Sequence, residues 1–186
     1  MRNFASMKLS HGIIAAVLAV MCGASAIMAC TSAIIGAGCS ASGRMLLWKH
    51  RDTGTEHSFV AKVEPAGGLE YVALFNGGDS LLREAWVGVN EAGFAVMNTA
   101  SYNLAPDTAL VRDREGIVMS QALGICRSVA DFDSLLRSLP RPMGVQANFG
   151  VADGMGNGAY FETWDTGFRR IDLAGPDTLL VRTNYS

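Results

Sequence analysis

The fold turns on Cys30-Thr31-Ser32-Ala33-Ile34-Ile35, the small-residue stretch Gly36 to Gly43, and Met45-Leu46-Leu47-Trp48, which runs on into Lys49-His50-Arg51-Asp52. Short apolar runs with β-branched residues, parted by glycine and serine, read as two strands and the tip of a hairpin. Antiparallel pairing returns the end of the second strand to the start of the first. Lys49 to Asp52 should therefore lie beside Cys30. Gly54 closes the run.

Working outward, further strands are predicted at Ser58 to Val63, Tyr71 to Phe75, Glu84 to Val89 and Phe94 to Thr99, with Asn90-Glu91-Ala92-Gly93 as a turn. The period then changes. Ile117, Val118, Gln121, Ala122, Ile125 and Val129 fall at helical spacing. A second helix carries Phe132, Leu135, Leu136 and Leu139, with Ser128 or Asp131 as its cap and Pro140 and Pro142 as its stop. Strands resume at Gln146 to Ala152, Ala159 to Glu162, Phe168 to Asp172 and Thr178 to Thr183, and Asp153 to Gly158 is a glycine-rich hairpin turn. Strands, a helical pair, then strands again predict an α+β layered domain rather than a βαβ repeat. Because the chain stops at Ser186 directly after a strand, we expect a layered unit incomplete at its C-terminus.

The 186 residues suit one domain. Hydrophobic residues make up 49% and charged residues 17%, enough to build a core and too apolar for disorder. A formal net charge of −2 and the lack of a Lys/Arg run argue against a nucleic-acid partner. Arg2, Lys8 and His11 precede an apolar run from Gly12 to Ala29, the pattern of a secretory signal peptide over residues 1–29, with a permanent membrane anchor as the alternative. The expected location is periplasmic or extracellular, with no membrane span after processing. Ala24-Ser25-Ala26 is the better small-x-small cleavage site, whereas a cut after Ala29 leaves Cys30 first. Lipoprotein processing at Cys30 is a third route, poorly matched by Met28. Beyond the leader Cys30, Cys39 and Cys126 remain, an odd set without CxxC, which points to a free thiol or an intermolecular bridge.

As a first residue, Cys30 would join a thiol to an α-amine whose ordinary pKa is about 7.7–8.0, so the amine can act as base for its own side chain. Three features then recur in order: Cys30-Thr31-Ser32, Lys49-His50-Arg51-Asp52, and Gly88-Val89-Asn90-Glu91-Ala92-Gly93-Phe94 with Asn98. Arg182-Thr183-Asn184 completes the series. The pattern resembles the N-terminal-nucleophile superfamily of choloylglycine hydrolases and acyl-coenzyme A:6-aminopenicillanic acid acyltransferases, over nearly all of residues 30–186. The resemblance implies an αββα sandwich and a linear amide C–N bond as substrate. It implies Cys30 as nucleophile, Lys49 at a position held by arginine or lysine, and Asp52 as the contact of the nucleophile's amine. Asn98 becomes the oxyanion asparagine and Asn184 a second site asparagine. A further family arginine has no counterpart before Ser186.

Elementary chemistry agrees with these roles. A cation beside a cysteine favours thiolate, and an asparagine Nδ2 can serve a developing oxyanion. Neither cofactor nor metal is implied, since His50 and His57 lack companions at ligand spacing. Gly36-Ala37-Gly38 precedes a strand and not a helix, so no dinucleotide fingerprint is read. Trp48, Trp86, Phe94 and Tyr102 are candidates for an acyl pocket, with core packing the plainer reading of each. The expected partner is a small amide, and a homo-oligomer stays open. Three alternatives remain: an acyltransferase using the same acyl-enzyme, a lipid-anchored non-catalytic envelope protein, and an inactive remnant.

Overall fold

The computed structural model describes residues 29–104 and 109–185. Apart from Ala29, the leader read over 1–29 lies outside the described residues. Strands β1 (Thr31–Ile35) and β2 (Leu46–His50) form the predicted hairpin, with Ser32 opposite Lys49 and Thr31 opposite His50. A short 3₁₀ turn, Ala37–Cys39, lies within the stretch read as its tip.

The chain continues through β3 (Ser58–Val63), β4 (Tyr71–Asn76), β5 (Val87–Asn90) and β6 (Ala95–Ala100). Helices α1 (Glu115–Ile125) and α2 (Val129–Ser138) follow. Strands β7 (Ala147–Ala152), β8 (Gly158–Trp164), β9 (Gly167–Asp172) and β10 (Leu179–Arg182) complete the described elements. One sheet has the order β10-β1-β2 and the other β3-β4-β5-β6-β7-β8-β9, with every pairing antiparallel.

The fold is α+β, as expected. Of the four αββα layers, the described residues supply three: helices, a seven-stranded sheet and a three-stranded sheet. The helices and the larger sheet enclose the main core. There the ring of Phe132 meets Phe94, Phe149 and Phe161 at centroid distances of 6.0, 5.5 and 5.2 Å. Ile34, Met97 and Tyr160 form a smaller core between the sheets. Covered on both faces, β7 is buried along its whole length. Leu46, Trp48, Leu179 and Val181 are exposed on the smaller sheet.

Local chemistry explains the helix ends. Ser128 accepts from Asp131 N and Asp131 accepts from Ser128 N, a complete capping box, so both residues named as alternative caps take part. Val129 thus opens α2 rather than extending α1, which ends at Ile125. Asn90 holds the turn after β5. Its Oδ1 accepts from Ala92 N and Phe94 N, and its Nδ2 donates to Leu123 O and Cys126 O at the end of α1. Gly93 has φ +83°, which a side chain would strain.

One strand departs from expectation. The run Glu84 to Val89 enters the sheet only at Val87. Asp79 Oδ2 takes Glu84 N, while Gly116 O and Ser120 Oγ take Ala85 N. These partners satisfy the amides away from β6. Strand β5 therefore pairs with β6 only over Val87–Val89, and β6 has no strand beside it on that side from Asn98 onward.

Candidate active site

That missing pairing opens the sandwich at Asn98. The alternation of β6 places Asn98 with Val96 and Phe94 on the helix side of the sheet, while Met97 joins the inter-sheet core. Lys49 reaches the gap from β2. Its Nζ donates to Asn98 Oδ1 and to Trp86 O, each at 2.8 Å. With Oδ1 occupied, Asn98 Nδ2 is the donor left to face other groups. Asn98 is 5% exposed and lines the cleft.

Cys30 lies at the start of β1 above the same gap. Its N donates to Asn184 Oδ1 at 3.1 Å, and its Sγ donates to Asp52 O at 3.5 Å. Asn184 follows β10 and is buried, its own O accepting from Tyr102 N. The carboxylate of Asp52 was expected at the amine of residue 30. It accepts instead from Ala29 N at 2.9 Å, one residue upstream, because in this chain Cys30 N is a peptide amide already taken by Asn184.

Cys30, Lys49, Asp52, Asn98 and Asn184 thus line one cleft of about 410 Å³, joined by Arg51, Trp86 and Tyr102. A larger groove of about 1540 Å³ lies toward the hairpin tip, lined by Leu46, Val60, Val72 and Val89 among others. Cys30 is absent from its walls. Two aromatic candidates are corrected. Trp48 points to the outer face of its sheet and is 51% exposed, whereas Phe94 is fully buried in the main core. The exposed His50 and His57 lie outside the cleft.

The electrostatics centre on Lys49. Burial pushes its pKa down to about 7, the charge of Cys30 pulls it up, and Arg51 lowers it further. Lys49 is therefore poised to exchange a proton near neutrality, and its two acceptors hold the nitrogen in place. Arg51 is the site residue that motif reading left unassigned. Its signal was period two: Lys49 and Arg51 fall on one face of an extended run. Trp86 contributes its backbone carbonyl as well as its ring, a role no side-chain pattern reveals.

The smaller core braces the site from beneath. Ser32 Oγ and Tyr160 OH are 2.9 Å apart, and Arg182 lies over the Tyr160 ring at 5.3 Å. Glu162, 1% exposed, accepts from Arg182 Nε at 2.8 Å and pairs with Arg169.

No protein-family model matches the chain, and no curated protein matches it by sequence. Solved structures do match. A Caenorhabditis elegans ortholog of N-acylethanolamine-hydrolyzing acid amidase superposes with a TM-score of 0.62 at 16% identity, over 84% of this chain and 70% of that one. A mutant of the conjugated bile acid hydrolase from Clostridium perfringens gives 0.55 at 13% identity, over 79% of this chain and 51% of that one. The chain therefore spans about half the length of the second neighbour. From its sheet order and these neighbours, the chain has the fold of the N-terminal-nucleophile hydrolases of the choloylglycine hydrolase type.

Proposed function

We propose that the chain is an amide hydrolase that cleaves a linear C–N bond with Cys30 as nucleophile, once residues 1–29 are removed on export. The observation that carries this reading is the convergence of Cys30, Lys49, Asp52, Asn98 and Asn184 on one cleft from separate parts of the chain. Removing Ala29 turns Cys30 N into an amine and frees the Asp52 carboxylate that Ala29 N now occupies. Asn184 Oδ1 already holds that nitrogen at 3.1 Å. The two amide hydrolases of like fold support the same chemistry.

In the proposed reaction the Cys30 amine takes the thiol proton and Sγ adds to the amide carbon. Asn98 Nδ2 donates to the developing oxyanion. Collapse breaks the C–N bond, and the amine leaves with the proton held by the Cys30 ammonium. Water then adds to the thioester, with the same amine taking its proton; collapse breaks the C–S bond, the ammonium returns the proton to Sγ, and the acid is released.

The test is a panel of N-acyl amides with protein that begins at Cys30, followed by intact-mass measurement. Hydrolysis with a transient acyl adduct on Cys30, both lost in Cys30→Ala, is the expected result. Undiminished turnover by Cys30→Ala would end the reading. A diacylglyceryl adduct on Cys30 in exported material would replace it with the lipid-anchored alternative.

A further inference from the structure

We propose that Arg51 is the anchor for a carboxylate carried by the substrate, a specificity residue distinct from the bond-breaking groups; this rests on the amide-hydrolase reading. Lys49 and Arg51 are the only cationic side chains lining the Cys30 cleft among the described residues. Lys49 already donates to Trp86 O and Asn98 Oδ1. Arg51 is held differently. Its Nη1 donates to Ser58 Oγ at 3.0 Å and its Nη2 to Asn76 Oδ1 at 2.6 Å, both neutral acceptors, and its guanidinium lies 5.1 Å from the Trp86 ring centroid. A guanidinium has five N–H donors, so three are left over.

No carboxylate among the described residues lies within ion-pair distance of Arg51. The nearby Asp52 directs its carboxylate to Ala29 N, and in the proposed mature form that carboxylate is left to the new Cys30 ammonium. Compare Arg182 and Arg169, which share the buried Glu162. Arg51 is half-buried, and desolvation lowers its pKa. The charge of Cys30 acts the other way and raises it, but no carboxylate among the described residues offsets the partly dehydrated cation until an anion enters. The clamp from β3, β4 and Trp86 also fixes the plane of the fork before a ligand arrives. A planar fork matches a carboxylate in two parallel hydrogen bonds.

The carboxylate has two possible sources: the leaving amine, as in an N-acyl amino acid, or the far end of the acyl group, as in a dicarboxylic monoamide. Two probe pairs separate them. One is N-octanoylglycine against N-octanoylglycinamide. The other is the mono-4-nitroanilide of suberic acid against its methyl ester. For the pair that matches the true source, the ratio of kcat/KM, charged over neutral, should fall about tenfold or more in Arg51→Gln. Arg51→Lys should recover only part of it, since lysine lacks the fork. That variant also keeps the test open if Arg51→Gln folds poorly.

A second readout needs no turnover: the rate of Cys30 alkylation by iodoacetate relative to iodoacetamide. It should fall in the same way. If Arg51 only braces the loop or tunes Cys30, both members of every pair slow together. Ratios that all stay within about threefold of the unmodified protein would overturn the proposal. If neither pair is hydrolysed yet the alkylation ratio falls, the amide reading fails and the anion site stands.

Discussion

Lys49 is held between Asn98 Oδ1 and Trp86 O, and its depressed pKa sets a stability signature. Unfolded, the amine titrates near 10.5; folded, near 7. Between those values the unfolded chain binds the extra proton, so this group's contribution makes the fold more stable as pH rises from about 7 to 10.5. Below about 7 both states are protonated and its contribution is level. Lys49→Gln keeps a donor for the two acceptors but cannot titrate. Urea unfolding at pH 7 and at pH 9 should show a smaller gain with pH in the variant than in the parent. An equal gain would mean that Lys49 is charged throughout. On the proposed mechanism, Asn98→Ala at the neighbouring position removes one donor from the forming oxyanion and should lower kcat by about 10²–10³ with a smaller change in KM. Asn98→Asp would pair with Lys49 and lose Nδ2, so its kcat should fall at least as far. A normal kcat with a lowered melting temperature would leave Asn98 a purely structural residue.

Helix α1 and the β5–β6 turn are one unit, because Asn90 bonds both. Four hydrogen bonds converge on a side chain that is 5% exposed. Asn90→Asp keeps the two acceptor contacts but points an oxygen at Leu123 O and Cys126 O. The cost should be on the order of 3 kcal/mol in chemical denaturation. A loss under about 1 kcal/mol would show that the turn relaxes without it. The same junction explains Gly88, where a Cβ would lie 2.7 Å from Leu123 Cδ1 and 2.8 Å from Ala73 Cβ. At α2, Ser128→Ala removes half of the capping box and should cost about 1 kcal/mol, with kcat per folded molecule unchanged. Ser128 lies outside the Cys30 cleft, so the two variants separate stability from activity.

Across the whole molecule, Glu162 ties the two sheets together. It lies on β8, and through Arg182 it holds β10, the strand that leads to Asn184. Arg182 in turn covers Tyr160, whose hydroxyl meets Ser32 on the Cys30 strand. Glu162→Ala takes the carboxylate from the half-buried Arg182 and the mostly exposed Arg169, and should cost about 1.5–3 kcal/mol, chiefly through Arg182. Because β10 would lose its tie to the larger sheet, kcat should fall too, although Glu162 does not line the cleft. Loss of stability with an unchanged kcat would show that β10 keeps its register through its pairing with β1 alone.

Pattern alone determined the β1–β2 hairpin, the positions of most strands and the capped start of α2. Those features follow from forces within a few residues: alternation, turn-forming glycines, and a serine three residues ahead of an aspartate. The hairpin also brought Lys49 and Asp52 beside Cys30, since antiparallel pairing is a local consequence of the turn. What the tertiary structure decided is long-range. Strand β5 begins late because Asp79, Gly116 and Ser120 capture the amides of Glu84 and Ala85, and only this exposes Asn98 to Lys49. The Asp52 carboxylate meets Ala29 N and not Cys30 N, because Asn184, 154 residues away, reaches the Cys30 amide. Among the described residues Arg51 has no carboxylate in ion-pair reach, and Glu162 has two arginines, through the register of strands far apart in sequence. Sequence periodicity says which face a side chain takes, but which partner waits there is set by the packing of whole sheets.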